Sequence, residues 1–175
     1  LSFEKQGFNM PDISDGKGTN SSNQQIRKWK NLFLPPELSR GLFSFIIEHT
    51  QGELPIPKLW QSSAPNKLDH VVINTNDADS FIDVYKDAFG IRLALDKTIQ
   101  HWKKRMLFFR LAKTTIEVIE EKNSQETKDT LWGLAWGVGS IEKTHKRLLS
   151  EGVDITPIKK GIKDKTLVAT INSHT

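Results

Sequence analysis

The stretch that decides the fold is Leu68-Asp69-His70-Val71-Val72-Ile73-Asn74-Thr75, which is mostly β-branched or apolar and predicts a strand. A helix is predicted directly after it, because Asp77 or Asp79 can cap its first turn and apolar residues follow at helical spacing until Gly90. Three more strands are predicted next, at residues 91–95, 105–112 and 114–119. The predicted order is therefore β-α-β-β-β.

The following part of the chain begins the same pattern again. Residues 131–138 predict a strand and residues 141–149 a helix that Gly152 ends. Gly90 lies 20 positions after His70, and Gly152 lies 19 positions after Gly133, so the spacing indicates an internal repeat. A further strand of this copy is predicted at residues 167–171.

The N-terminal region looks like the later part of another copy. Two strands are predicted there, at residues 26–34 and 41–49, while residues 9–25 are rich in Gly, Ser, Asn and Asp and predict a loop. We therefore expect an α+β protein of repeated βαβββ modules. Its expected divisions are the C-terminal half of a module at 1–55, a linker at 56–66, a complete module at 67–122 and an incomplete module at 129–175.

Composition narrows the class of protein. The 175 residues include no cysteine, so any metal must be held by His, Asp or Glu. No apolar run approaches the roughly 20 residues of a membrane-spanning helix, and we expect no membrane association and, by default, a cytoplasmic location. The net charge is +4, but no nucleic-acid-reading motif accompanies the lysines. We expect no nucleic-acid partner; the lysines lie on solvated surfaces or attract an anionic substrate.

The pattern resembles the vicinal-oxygen-chelate superfamily of glyoxalases, bleomycin-resistance proteins and extradiol dioxygenases. The resemblance is carried by Leu68-Asp69-His70-Val71-Val72-Ile73, Tyr85-Lys86-Asp87-Ala88-Phe89-Gly90, Thr115-Ile116-Glu117-Val118 and Arg40-Gly41-Leu42-Phe43-Ser44-Phe45-Ile46-Ile47-Glu48-His49. It implies that the modules form a half-open, curled sheet around a small-molecule site.

The resemblance also implies a metal site, because the superfamily takes its ligands from the first and last strands of each module. On the matching positions, His70, Glu117 and Glu48 are the implied ligands, whereas Gly133 occupies the fourth position and cannot ligate. Glu48 and Glu117 are also the candidate catalytic residues that move a proton. The implied cofactor is a divalent Zn, Fe, Mn, Ni or Mg ion, and the implied activity is that of a lyase, isomerase or dioxygenase.

Other interpretations of these residues stay open. His70 is equally well explained as a hydrogen-bonded core histidine, and Glu117 as a surface glutamate. Trp132 and Trp136 lie on one face of a strand, where they form either the wall of a substrate pocket or part of the core. The alternative function is a metal-free, drug-sequestering binding protein. Incomplete modules leave open sheet edges, so a homodimer is expected.

Overall fold

The computed structural model describes residues 3–54, 62–122, 128–162 and 164–172. The chain divides into two compact units, one of Leu1–Ile56 with His70–Gly133 and one of Pro57–Asp69 with Leu134–Thr175. Within the described ranges, no helix is both long and apolar enough to cross a membrane.

The middle of the chain has the predicted βαβββ order. Its elements are β4 (Pro65–Thr75), α2 (Ala78–Ile82), β5 (Arg92–Ile99), β6 (Lys104–Leu111) and β7 (Thr114–Glu120). The strand β8 (Thr130–Val138) completes a five-stranded sheet in the order β5-β6-β7-β4-β8. Strands β5, β6 and β7 form an antiparallel meander, and β4 pairs with β7 in parallel. Residues 56–61 of the predicted linker at 56–66 lie outside the described residues, and Pro65 begins β4.

One face of this sheet packs against the helix that follows β4. Alternation along the strands sends Ile73 and Val118 to this face, where they meet Leu107, Phe109 and the helix residue Phe81. All five of these side chains are buried. The other face of the same strands carries His70 and Glu117, so packing of the helix leaves the candidate site on the opposite side of the sheet.

The predicted helix begins as expected but changes its geometry. The Asp77 side chain accepts a hydrogen bond from the Ser80 amide and caps α2, and Gly90 ends the segment with φ +69°. The second half, Asp83–Ala88, is a π-helix, which periodicity did not predict. Val84 and Ala88 from this half are nevertheless buried, as the apolar spacing indicated.

The N-terminal region forms a separate antiparallel meander in the order β1-β2-β3. Its strands are β1 (Ser14–Thr19), β2 (Ile26–Phe33) and β3 (Phe45–Gln51), with the short helix α1 (Pro36–Ser39) between the last two. The prediction of a loop throughout 9–25 is therefore wrong. Residues 14–19 have weak β propensity, but they form a strand because they pair with β2. Glycine suits position 16, because a Cβ there would lie 2.1 Å from Trp29 Nε1.

The segment between β2 and β3 is anchored to the middle of the chain. Leu38 is fully buried against Val84 and Ala88, and partly buried aromatic residues close this second core, among them Phe3, Phe8 and Phe89. The strand predicted to begin at residue 41 begins at Phe45 instead, because Gly41 turns the chain with φ +96°.

Arg40 forms the second anchor of this segment. Its guanidinium donates to both carboxylate oxygens of Asp129, with Nε–Oδ2 2.6 Å and Nη2–Oδ1 3.1 Å. It also donates to the hydroxyls of Ser80 and Thr75 and stacks over Phe81 at 5.6 Å. The Asp129 side chain is 1% exposed and that of Arg40 is 12% exposed. This is therefore a buried, bidentate ion pair.

The C-terminal unit contains α3 (Ile141–Ser150) and a two-stranded sheet of β9 (Lys159–Lys160) and β10 (Leu167–Val168). Ser140 caps α3 through the Lys143 amide, and the buried Thr144 donates to the Ser63 carbonyl. The strand predicted at 167–171 is shorter than expected. Only its first two residues pair with β9, and Ile171 makes a single bridge to Ile155.

Candidate active site

His70 and Glu117 lie next to each other on neighbouring strands. The parallel register of β4 and β7 sets His70 opposite Thr115 and Val72 opposite Glu117, so the two side chains share a sheet face. His70 Nε2 lies 3.8 Å from Glu117 Oε2, and the two side chains are 32% and 21% exposed. The structure therefore brings together two of the three predicted ligands in a half-buried position.

Glu117 is surrounded by apolar groups along the sheet. Its neighbours in register are Val72 on β4 and Phe108 on β6. Burial among them raises the pKa of the Glu117 carboxyl, and the nearby His70 lowers it by a smaller amount. A carboxyl group with a raised pKa keeps its proton up to a higher pH than an ordinary glutamate does, and shifted pKa values of this kind are common at functional sites.

Asn74 is a further candidate residue, which was not among the residues predicted from the sequence. It lies on the same face of β4 as His70, because side chains alternate between the two faces of a strand and Asn74 follows His70 at an even spacing. Its Oδ1 atom is buried and has no hydrogen-bond partner among the described residues. A buried amide oxygen without a partner is costly, and such atoms often face a bound ligand. Alternation from His70 is the signal that identifies this residue.

Glu48 lies elsewhere in the structure, on the N-terminal meander. It is exposed on β3, where Lys30 of β2 is its partner in register and His49 points to the other side of the strand. No group of three His, Asp or Glu side chains that could hold a metal ion occurs within residues 3–54, 62–122, 128–162 and 164–172. The structure therefore does not bring Glu48 together with His70 and Glu117 within one chain.

Trp132 and Trp136 share an exposed face of β8. Their side chains are 66% and 53% exposed, and Leu134 between them is 46% exposed. The interpretation of these tryptophans as core residues does not fit such exposure. Gly133 points to the opposite face, where a Cβ would meet nothing within 4 Å. The strand thus presents an open aromatic surface on one face and open space beside Gly133 on the other.

Comparison with known proteins identifies the family to which the sequence belongs. The model of the glyoxalase/bleomycin resistance protein/dioxygenase superfamily matches residues 69–170, which is more than half of the chain. No curated protein matches this sequence.

Two solved structures show the same fold. Methylmalonyl-CoA epimerase from Mycobacterium tuberculosis is 20% identical with a TM-score of 0.53, and the alignment covers 66% of this chain and 84% of that protein. A hypothetical protein from Bacillus halodurans C-125 is 19% identical with a TM-score of 0.51, and the alignment covers 61% and 83% of the two chains. The predicted α+β, glyoxalase-like fold is confirmed, and the chain belongs to the glyoxalase/bleomycin resistance protein/dioxygenase superfamily.

Proposed function

We propose that this protein acts on a small molecule at the sheet face that carries His70 and Glu117, as a metal-dependent lyase or isomerase. The observation that supports this most directly is the 3.8 Å approach of His70 Nε2 to Glu117 Oε2 in a half-buried position. Metal ligands of these types lie about 2.0 to 2.2 Å from an ion, so two atoms at this separation can share one. The pair fits two ligand positions of a divalent metal.

The remaining ligands are not supplied by the described part of this chain, which contains no group of three suitable side chains. Glu48 remains the proposed third ligand and a second proton-moving carboxylate. It would have to come from another copy of the chain, or from a conformation in which β3 lies closer to His70 and Glu117. One imidazole with carboxylates suits Zn, Fe, Mn, Ni or Mg and does not choose among them.

The residues around the pair have separate proposed roles. His70 and Glu117 would hold the divalent ion, and the chemistry that it would supply there is polarisation of a substrate oxygen and stabilisation of the negative charge formed when a proton is lost. Where it is not held by the ion, Glu117 takes up and returns that proton, as a half-buried carboxyl group beside His70. The unpaired Oδ1 of Asn74 accepts a hydrogen bond from the substrate and orients it.

Proton transfer is favoured over oxygen chemistry by the environment of Glu117. A lyase or isomerase needs a carboxyl group that can change its protonation during the reaction, and Glu117 is a half-buried carboxyl group beside His70. The similar structure from Mycobacterium tuberculosis is named an epimerase, which agrees with this class. A dioxygenase remains the second reaction class that the family allows.

The test is direct metal binding to the purified chain. After treatment with a chelator, the protein is titrated with Zn²⁺, Mn²⁺, Ni²⁺, Fe²⁺ and Mg²⁺ by calorimetry, alongside His70→Ala, Glu117→Gln and the control His101→Ala. His101 is exposed in the turn after β5. Either site variant is expected to weaken binding at least about tenfold, with the control unchanged. Equal binding by all four proteins, or none with any ion, would contradict the proposal.

A metal-free binding protein is the second candidate function, and the exposed faces of Trp132 and Trp136 favour it. Aromatic surfaces of this kind bind planar, apolar compounds. In the presence of a chelator, small aromatic compounds are expected to quench tryptophan fluorescence, and the double variant Trp132→Ala/Trp136→Ala to lose the response. The control is Trp102→Phe, which changes another exposed tryptophan in a turn. Quenching that survives in the double variant speaks against this function.

A further inference from the structure

An open cleft of about 590 Å³ lies between α3 and the residues that precede β4. Its volume is within the range of pockets that hold small molecules, roughly 300 to 1,000 Å³. All of its lining residues belong to one compact unit, that of Pro57–Asp69 with Leu134–Thr175, and none of them is a candidate site residue. Three of them are cations and three carry hydroxyl groups: Lys143, Lys146, Arg147, Ser62, Ser63 and Ser150.

The cations of the cleft form one face of α3. Lys143, Lys146 and Arg147 stand three and four residues apart, and Ser150 follows Lys146 by four, so these side chains share one side of the helix. Thr144, on the other side, is buried. The basic face of α3 is therefore turned outward, toward the cleft.

Hydrogen bonds hold the two walls of the cleft together. The Ser140 amide donates to the Ser62 carbonyl at 3.1 Å. The Ser63 carbonyl accepts from the Thr144 hydroxyl at 3.0 Å and from Arg147 Nη2 at 3.2 Å. These bonds use main-chain carbonyls, so the hydroxyls of both serines remain able to donate to a ligand. A site whose walls are already held in place loses less entropy on binding.

Among the described residues, the two lysines of the cleft have no carboxylate partner. No ion pair in this part of the chain involves Lys143 or Lys146, and no carboxylate lines the cleft. Glu142, four residues before Lys146, instead accepts from the Ser140 hydroxyl at 2.9 Å. Like charges three and four residues apart on a helix repel each other. The face therefore carries positive charge that a bound anion would neutralise.

Arg147 gives the cleft a cation of fixed orientation. Its Nη1 donates to Glu151 Oε2 at 2.8 Å and its Nη2 to the Ser63 carbonyl, so both ends of the guanidinium are held. A guanidinium has five N–H donors, and these two contacts leave others for a ligand. The cleft therefore combines a fixed guanidinium with two ammonium groups on flexible stems, and both kinds of group bind phosphate oxygens.

We propose that this cleft binds the phosphate group of a phosphorylated small molecule. A phosphate monoester carries about two negative charges at neutral pH and accepts several hydrogen bonds. Two ammonium groups, a guanidinium and neighbouring hydroxyls match that charge and those acceptors better than they match a single carboxylate. The cleft is larger than a phosphate ion, so it also has room for the organic part of the ligand.

The inference does not rest on the proposed function. It concerns other residues, and binding of a phosphate group at α3 needs neither His70 nor a metal ion. Binding measured without metal tests it separately, so either idea can fail while the other holds.

The test is titration of the purified chain with ADP in metal-free buffer, followed amide by amide with ¹⁵N–¹H NMR. ADP carries phosphate on a small organic molecule, and adenosine is the matched compound without phosphate. Saturable shifts are expected at the amides of the six lining residues with ADP and with pyrophosphate, and none with adenosine. Shifts confined to other residues, or an equal response to adenosine, would overturn the assignment.

A charge-matched pair of variants tests the role of the lysines. Lys143→Gln/Lys146→Gln removes two charges from the cleft, and glutamine preserves helix propensity. The dissociation constant for ADP is expected to rise at least about fivefold, with unchanged circular dichroism. The control, Lys159→Gln/Lys160→Gln, removes the same charge from exposed positions on β9 in the same compact unit and should bind ADP like the unmodified protein. An equal loss in both variants would mean general attraction by positive charge and would contradict the site.

Phosphate on a lipid headgroup presents the same chemistry at a membrane surface. Co-sedimentation with phosphatidylcholine vesicles that contain phosphatidylinositol phosphate distinguishes the two sources. We expect ADP to bind in solution, and the chain to sediment with these vesicles no more than with phosphatidylcholine alone. Vesicle binding without ADP binding would overturn the choice of a soluble ligand, and binding of neither would overturn the site itself.

Discussion

Substitution of Asp129 by Asn tests the anchor between the N-terminal segment and the middle of the chain. The change keeps the size of the side chain but removes its negative charge. The Arg40 side chain, which is 12% exposed, then loses the carboxylate that its guanidinium contacts at 2.6 and 3.1 Å. The N–H₂ group of the asparagine is a hydrogen-bond donor, and it cannot accept from the Arg40 guanidinium, which itself can only donate.

The magnitude follows from burial and from the partners that remain. Breaking a buried ion pair by removing one member typically costs about 3 to 5 kcal/mol. Arg40 keeps its hydrogen bonds to Thr75 and Ser80, so we expect a loss near the lower end, about 3 kcal/mol in the free energy of unfolding. For a chain of this length the melting temperature should fall by roughly 6 to 12 °C.

Urea unfolding followed by circular dichroism measures this loss, with Glu121→Gln as the control. Glu121 is also paired at 2.6 Å, with Lys104, but the two side chains are 38% and 41% exposed. An exposed pair of this type contributes about 0.2 to 1 kcal/mol. If Asp129→Asn costs no more than Glu121→Gln, burial of the Arg40 pair is not what stabilises this region. A double variant, Arg40→Met with Asp129→Leu, should recover most of the loss.

Three further predictions concern titration, the candidate site and backbone strain. Burial and the charge of Asp129 raise the pKa of Tyr85 to about 12; as the protein's one tyrosine, it should show an ultraviolet titration well above pH 10. Since the pKa of Tyr85 is higher in the folded than in the unfolded protein, the free energy of unfolding should stay constant below pH 10 and fall between pH 10 and 12. A titration midpoint of Tyr85 near pH 10 in the folded protein would contradict the burial of this side chain. Glu117 also has a raised pKa, so its contribution is present at low pH and lost as pH rises through its folded pKa. Glu117→Gln should therefore make the protein more stable at neutral pH by thermal melting, and lower stability there opposes this reading. Gly41→Ala should lose about 1 to 2 kcal/mol in urea unfolding, because φ is +96° and the new Cβ lies 2.5 Å from Lys128 Cβ; an unchanged midpoint excludes strain at this turn.

The fold was predictable where local pattern and packing agree. The β4 strand, a helix capped at Asp77 or Asp79, and the three strands β5 to β7 all follow from period, capping residues and β-branched content, and the structure has the cap at Asp77. The strand β1 was not predictable in this way. Its Ser-Asp-Gly-Lys-Gly-Thr sequence has weak strand propensity, yet it pairs with β2, and Gly16 leaves room for the Trp29 side chain opposite it.

The candidate site shows a similar division. Motif resemblance pointed to His70 and Glu117, and the parallel register of their strands explains why they meet at 3.8 Å. The placement of Glu48 depends on how whole sheets assemble, which no local pattern encodes. Asn74 went unnoticed because an asparagine in a strand suggests a turn or a strand end, whereas here it carries a buried oxygen on the face of His70.

The core around Leu38 includes residues that lie outside the region similar to the superfamily. Sequence similarity to the superfamily begins at residue 69, inside a strand that starts at Pro65. A fragment cut at that homology boundary would lose Leu38, baring Val84 and Ala88, and would leave the Asp129 carboxylate buried without its cation. The N-terminal segment therefore contributes to the core of the module. The region that is similar to the superfamily and the region that must be present for the module to fold begin at different residues of this chain.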